Sequence, residues 1–234
     1  MDYAIGVDIG SRSAPIAIAI VQATYTVHQD HQRSGEQERF TQSDLYRRFG
    51  TDVRLSQVAD MLNPVFLLRH LDSYPRDRDL SDIIEIIVQL HATDPIRENV
   101  ETAFAVNAVG QSFVNQFRHR CRMRNVFSRP FAVHVAGGTG YADGDPDNPA
   151  RLGVDELLTE VALLAKSGHL FTTLTGNKFV SALHDAMADV NADDIRAHYD
   201  PNLAATRPRQ GAGLLYALAL AVWRYRHVRP GLVR

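Results

Sequence analysis

The sequence predicts an α/β fold, a mixed sheet flanked by helices, and three observations predict it. Short runs rich in Ile, Val and Ala alternate with longer segments whose apolar residues recur every three or four positions, which are the periods of strand and helix. One such pair, Thr102 to Val106 followed by Gln111 to Met123, joins across Gly110 as a strand, turn and helix unit. The 234 residues, 45% hydrophobic and 22% charged, suit one large domain over 1–234 with its own core.

Along the chain, Ala4 to Asp8 and Pro15 to Gln22 read as two strands of a hairpin, split by Gly10, Ser11 and Ser13. From Thr24 to Leu62 the pattern turns polar, with short helical hints at Gln42 to Phe49 and Leu55 to Leu62, so 24–63 is expected to be an insertion or lid. Val65 to Leu71 resumes a buried strand. Pro75 to Asp79 leads into the helix Leu80 to Leu90, whose Ile83, Ile84, Ile87 and Leu90 form one face. After the central strand, turn and helix unit comes the strand Phe131 to Val135, then the polar glycine- and aspartate-rich loop Gly137 to Asn148. Helices follow at Val154 to Lys166, stopped by Gly168, and at Lys178 to Val190. The linker Asp200 to Gln210 precedes a last apolar helix from Gly211 to about His227, and 224–234 is expected to be a basic tail.

Charge and cysteine content exclude several classes of function. The formal net charge is −2, so no global positive field advertises nucleic acid, and any such binding has to come from a local patch. The single cysteine, Cys121, forms neither an internal disulfide nor a cysteine zinc cage, which points to a reducing, cytoplasmic setting. Its place on the apolar side of its helix reads as a buried structural thiol. The longest apolar runs, Ala14 to Val21 and Leu214 to Trp223, fall well short of the roughly 18–20 residues that cross a bilayer, so no membrane partner is expected. Met1, Asp2 and Tyr3 lead straight into a strand, without the basic-then-apolar order of a signal peptide.

The chemistry-bearing segment is Gly6-Val7-Asp8-Ile9-Gly10, a carboxylate at the end of a buried strand next to a glycine. Such an aspartate holds a divalent metal both in nucleases of the ribonuclease H type and in actin-like kinases and ATPases. It also serves simply to cap a turn.

The order of segments resembles the nuclease domain of tailed-phage terminase large subunits. The resemblance is carried by Gly6 to Val21 and by His70-Leu71-Asp72-Ser73-Tyr74-Pro75, a strand ending in an acid, an aromatic and proline. It continues through Ser81 to Leu90, Ala105-Val106-Asn107-Ala108-Val109-Gly110, His134 to Thr139, Leu157 to Leu170 and Gly211 to Trp223, most of the chain outside Tyr25 to Asn63. It implies a ribonuclease-H-like mixed sheet, a phage or prophage origin with a role in DNA packaging in the host cytoplasm, and magnesium or manganese if the domain is active. No Gly-x-x-x-x-Gly-Lys-Ser/Thr loop occurs, so the packaging ATPase half is absent from this sequence.

At the metal-bearing positions the sequence departs from that pattern. Two-metal hydrolysis needs several carboxylates converging on ions about 3.5–4 Å apart. The family supplies them from the first strand, from the strand-to-helix segment and from an acidic pair opening the last helix. Here those positions are Asp8, Asn107 and the pair Ala212 and Gly213. Asn107 offers only a neutral oxygen, and Ala212 and Gly213 offer none. Asp72, at the end of a neighbouring strand, is the candidate second metal ligand beside Asp8. Asp143, Asp145, Asp193 and Asp194 are acids that a rearranged site would recruit. The expectation is therefore a catalytically degenerate domain without a resident cofactor, kept to bind double-stranded DNA or a protein. An active metal-dependent endonuclease with rearranged carboxylates and a small actin-like nucleotide-binding protein stand as alternatives.

The remaining motifs concern partners. Arg118, Arg120, Arg122 and Arg124, with His119 and Arg129, form the strong basic cluster, and Arg118 with Arg122 shares one helix face. Together with Arg224 and Arg226 of the terminal tract, which also holds Arg229 and Arg234, they are the candidate nucleic-acid contacts. Ala136-Gly137-Gly138-Thr139-Gly140 is either an anion nest or a plain loop. His28 and His31 are a possible metal pair with no evident third ligand.

Overall fold

The computed structural model of the chain describes residues 2–9, 14–26, 39–40, 64–97, 100–107, 109–144, 148–188 and 211–227. The described elements run β1 (Tyr3–Asp8), β2 (Ile16–Thr26), β3 (Arg39–Phe40), β4 (Val65–Tyr74), α1 (Leu80–Ala92), β5 (Val100–Ala105), α2 (Gln111–Met123), β6 (Pro130–Ala136), β7 (Tyr141–Ala142), β8 (Ala150–Gly153), α3 (Val154–Lys166), β9 (Leu170–Thr172), α4 (Lys178–Ala188) and α5 (Ala212–His227).

The strands form one sheet in the order β7-β8-β6-β5-β1-β2-β4-β9, with β3 beside β2. β1, β2 and β4 pair antiparallel, while β5 and β6 join β1 in parallel. The central order β4-β2-β1-β5-β6, antiparallel in its first half and parallel in its second, is that of a ribonuclease-H-like sheet. Its parallel crossovers are the α1 and α2 units expected from the sequence.

Alternation along the strands divides the core into two layers. Tyr3, Ile5 and Val7 of β1, with Ile16, Ile18 and Ile20 of β2, pack under α1 and α2. The other face of the same strands is small, with Ala4, Ala17 and Ala19 beside Ala103 and Ala105 of β5, and it receives α5. Helix α5 is buried on every side from Gly213 to Tyr225, as expected of a helix apolar all round. It lies between the sheet and helices α3 and α4. Gly6 allows this close seat, because a Cβ there would lie 1.9 Å from the Ala217 carbonyl oxygen.

Several boundaries differ from the sequence expectation. β4 continues to Tyr74, so Asp72 lies within a strand. The tract expected as a tail is helical through His227. The polar loop after β6 contains the short strand β7, and β8 and β9 are too brief to show a period. Most of the insertion, including both helical hints, lies outside the described residues.

Candidate functional site

Asp8 closes β1 and is wholly buried, with Ala17 of β2 and Ala105 of β5 as its strand partners. Its side chain leaves the sheet on the small face, toward the first turn of α5. A Cβ added to Gly213 would stand 3.3 Å from Asp8 Oδ2, 3.5 Å from the Pro15 carbonyl oxygen and 3.6 Å from the Ala17 methyl group. The last helix thus opens directly over Asp8, and the residue it presents has no side chain. Ala212, half-buried, packs against the surrounding core.

Asn107 follows β5 two residues beyond the partner of Asp8. Both polar atoms of its amide bond to β6: Nδ2 donates to the Val135 carbonyl at 2.6 Å, and Oδ1 accepts from the Val135 N–H at 2.9 Å. The side chain replaces a strand residue where β5 ends and the chain turns toward Gly110. A carboxylate in its place would face the Val135 carbonyl with two acceptors and lose one hydrogen bond.

The pairing of Asp72 with Asp8 does not form. Asp72 pairs with Ile18 and Ser73 with Ala17, so Asp72 leaves the sheet on the α1 and α2 face while Asp8 leaves it on the α5 face. Two strand spacings, roughly 10 Å, separate the two strands as well. The Asp72 carboxylate instead accepts from the Ser73 N–H at 3.0 Å and from the Tyr74 hydroxyl at 2.8 Å. Burial and this donation push the Tyr74 hydroxyl up to about 12. The neighbouring His70 is lowered by burial, against the opposing pull of Asp72.

Of the other candidate acids, Asp143 alone lies among the described residues, and it is remote from Asp8. Asp143 follows β7 at the sheet edge, four strands from β1, and takes a hydrogen bond from Tyr141. Asp145, Asp193, Asp194, His28 and His31 lie outside the described residues. Among the described residues no cluster of three His, Cys, Asp or Glu is placed to hold a metal ion. A two-metal centre needs converging carboxylates; the residue set against Asp8 is a glycine, and Asn107, two residues beyond its strand partner, is bonded to the backbone of β6. The described residues do not fit such a centre.

The glycine turn after β6 is closed by the protein itself. Gly138 and Gly140 adopt φ of 90° and 107°. The Gly140 N–H donates to Glu156 Oε2 at 3.2 Å, and its carbonyl accepts from the Gly153 N–H at 2.8 Å. The anion at this nest is a side chain of α3.

The candidate arginines separate into different roles. Arg224 is not a tail residue: it is buried, its Nη2 lies 2.9 Å from Glu101 Oε2, and its guanidinium covers the Phe131 ring at 4.3 Å. Burial lowers its pKa and Glu101 opposes that shift. Arg226 is paired with Glu160 at 2.9 Å, and Arg129 shares Glu101 at 3.2 Å. Arg118 donates to the Pro130 carbonyl at 3.3 Å and to Asn115 at 3.1 Å, and so ties α2 to β6. Arg120 and Arg124 both reach Glu85, at 2.9 and 3.3 Å. Arg122 is exposed and makes no ion pair among the described residues. Cys121 is buried, and burial raises its thiol.

Two structural roles escaped the sequence reading: Glu101, the second residue of β5, was detectable as a charge within a buried strand needing a partner, and the seating role of Gly6 as the smallest member of a small-residue face.

No protein-family model and no curated protein matches the chain. Among solved structures it is similar to the human cytomegalovirus terminase nuclease domain in a manganese-soaked, inhibitor-bound form. The identity is 12% and the TM-score 0.45, with 94% of this chain and 81% of that one covered.

Proposed function

We propose that this chain is a ribonuclease-H-like domain of phage or prophage origin that does not hydrolyse phosphodiesters and acts as a binding module. The observation that carries the reading is the Asp8 environment. Asp8 has no exposed surface, and Gly213 stands where a second carboxylate would meet it. The nearby Asn107 spends both amide atoms on Val135. Hydrolysis by paired ions needs metal–oxygen contacts on several carboxylates and an open position for the scissile phosphate, and a sealed carboxylate with a glycine set against it supplies neither.

The test is a cleavage assay on supercoiled and linear DNA with magnesium or manganese. The expected result is no cutting above the buffer control. Metal-dependent cutting by the wild type that vanishes in Asp8→Ala overturns the reading.

A further inference from the structure

Helix α2 buries Phe113, Val114, Phe117 and Cys121 against the sheet. It turns the opposite side outward, with Ser112, Asn115, Gln116, His119, Arg122 and Met123 all exposed or nearly so. Their spacing of three and four residues makes one continuous stripe about 17 Å long. A groove of about 370 Å³ runs beside it, lined by Ser81 and Ile84 of α1 and by Asn115, Gln116, His119 and Arg120 of α2.

Helix α2 itself carries no acid. Residues 102–142 contain five arginines and no Asp or Glu. The one carboxylate that reaches over from α1, Glu85, is shared by Arg120 and Arg124 and leaves a net positive charge. Phosphate and sugar contacts on duplex DNA come from arginine together with Ser, Asn and Gln side chains, the composition of this stripe. A protein partner would instead need a central apolar or aromatic anchor. Here the exposed apolar residues, Met123 and Phe127, sit only at the end of the helix and beyond it.

We propose that the outer stripe of α2, with its groove toward α1, binds the phosphate backbone of duplex DNA on the face of the sheet opposite Asp8. The proposal rests on the reading of this chain as a binding module and gives that module a partner and a place. The two faces follow from strand alternation: Ile5 and Val7 point toward α2, whereas Asp8 points toward α5. Arg224 and Arg226 belong to the α5 side, are ion-paired, and take no part.

Fluorescence anisotropy with a short labelled duplex at low salt tests this on the full chain. Wild type is expected to bind with a log–log salt slope of about −3, from three or four phosphate contacts. Arg122→Glu should weaken binding about tenfold for every sequence alike and make the slope shallower by about 1. Asp8→Asn and Arg226→Gln should bind as wild type does, with circular dichroism verifying that each variant folds.

No duplex binding by the wild type overturns the proposal, as does unchanged binding by Arg122→Glu. Saturable binding of polyglutamate in place of the duplex also overturns it and assigns the stripe to an acidic protein. A loss in Asp8→Asn equal to that in Arg122→Glu overturns the placement. None of these outcomes bears on hydrolysis, which the cleavage assay reads separately.

Discussion

Replacing Gly6 by alanine is the most direct probe of how α5 comes to cover Asp8. The added methyl group would lie 1.9 Å from the Ala217 carbonyl oxygen and 2.6 Å from the Ala221 nitrogen, both backbone atoms of α5. Ordinary contact begins at 3.4 Å, so the helix must retreat from β1 by about 1.5 Å, since no side chain can rotate away to relieve the overlap. Overpacking a core typically costs about 1–3 kcal/mol. This site belongs at the upper end because α5 is buried on all sides and carries its neighbours α3 and α4 with it. A loss of about 3 kcal/mol, with an urea slope of about 2 kcal/mol per molar, lowers the unfolding midpoint by about 1.5 M. Trp223, the one tryptophan of the chain and buried within α5, reports the transition by fluorescence. An alanine variant with the wild-type midpoint would refute the claim that a glycine-mediated contact seats this helix.

Two further outcomes follow from buried polar groups. His91 is fully buried, Nε2 lies 2.7 Å from Thr102 Oγ1, and burial lowers its pKa to about 4. The folded value lies below the unfolded 6.5, so the contribution is intact above pH 6.5 and is lost as the pH falls, about 2 kcal/mol by pH 5 and about 3 by pH 4. His91→Gln should flatten that part of the stability profile, and urea curves with the same acid dependence in both proteins would show that His91 is not its source. Glu101→Gln strands the buried Arg224 and should cost about 3 kcal/mol or more, whereas the double variant with Arg224→Met should regain most of it. Thermal melts decide this, and a double variant no more stable than the single one would sink the argument.

What the sequence made legible was whatever repeats over several residues. The apolar strands, the 3.6-residue stripes of α1, α2 and α3, and the acid at the end of β1 each have a local signature. The face of Asp72 had none. It depends on the register of β4 against β2, which shifts between Ile20 and Val21, and a slip of one residue exchanges the two faces of a strand. Arg224 looked like part of a basic tract because its partner, Glu101, is 123 positions away in the chain. Asn107 read as a carboxylate lost, but its two hydrogen bonds to Val135 give the amide a structural role that no spacing reveals. Strands of two to four residues, such as β7, β8 and β9, are shorter than the pattern that would announce them.

The glycine over Asp8 and the sealing of that carboxylate are one physical condition. An acidic side chain at position 213 would bring a second negative charge to within about 4 Å of Asp8. Even at an effective dielectric of 20 that repulsion is about 4 kcal/mol, comparable with the stability margin of many domains. A cation between the two carboxylates relieves it, and so does removal of one of them. With a cation the helix must stand off far enough to admit the ion and its ligands; with glycine it settles so close that a Cβ at position 213 would stand 3.3 Å from Asp8 Oδ2. The small face of the sheet, Ala4, Gly6, Ala17, Ala19, Ala103 and Ala105, supports the second arrangement because it lets α5 sink along its whole length. Building a metal site here would therefore require more than placing acids at 107 and 213. The helix would have to rise from the sheet, against the packing of its whole small-residue face.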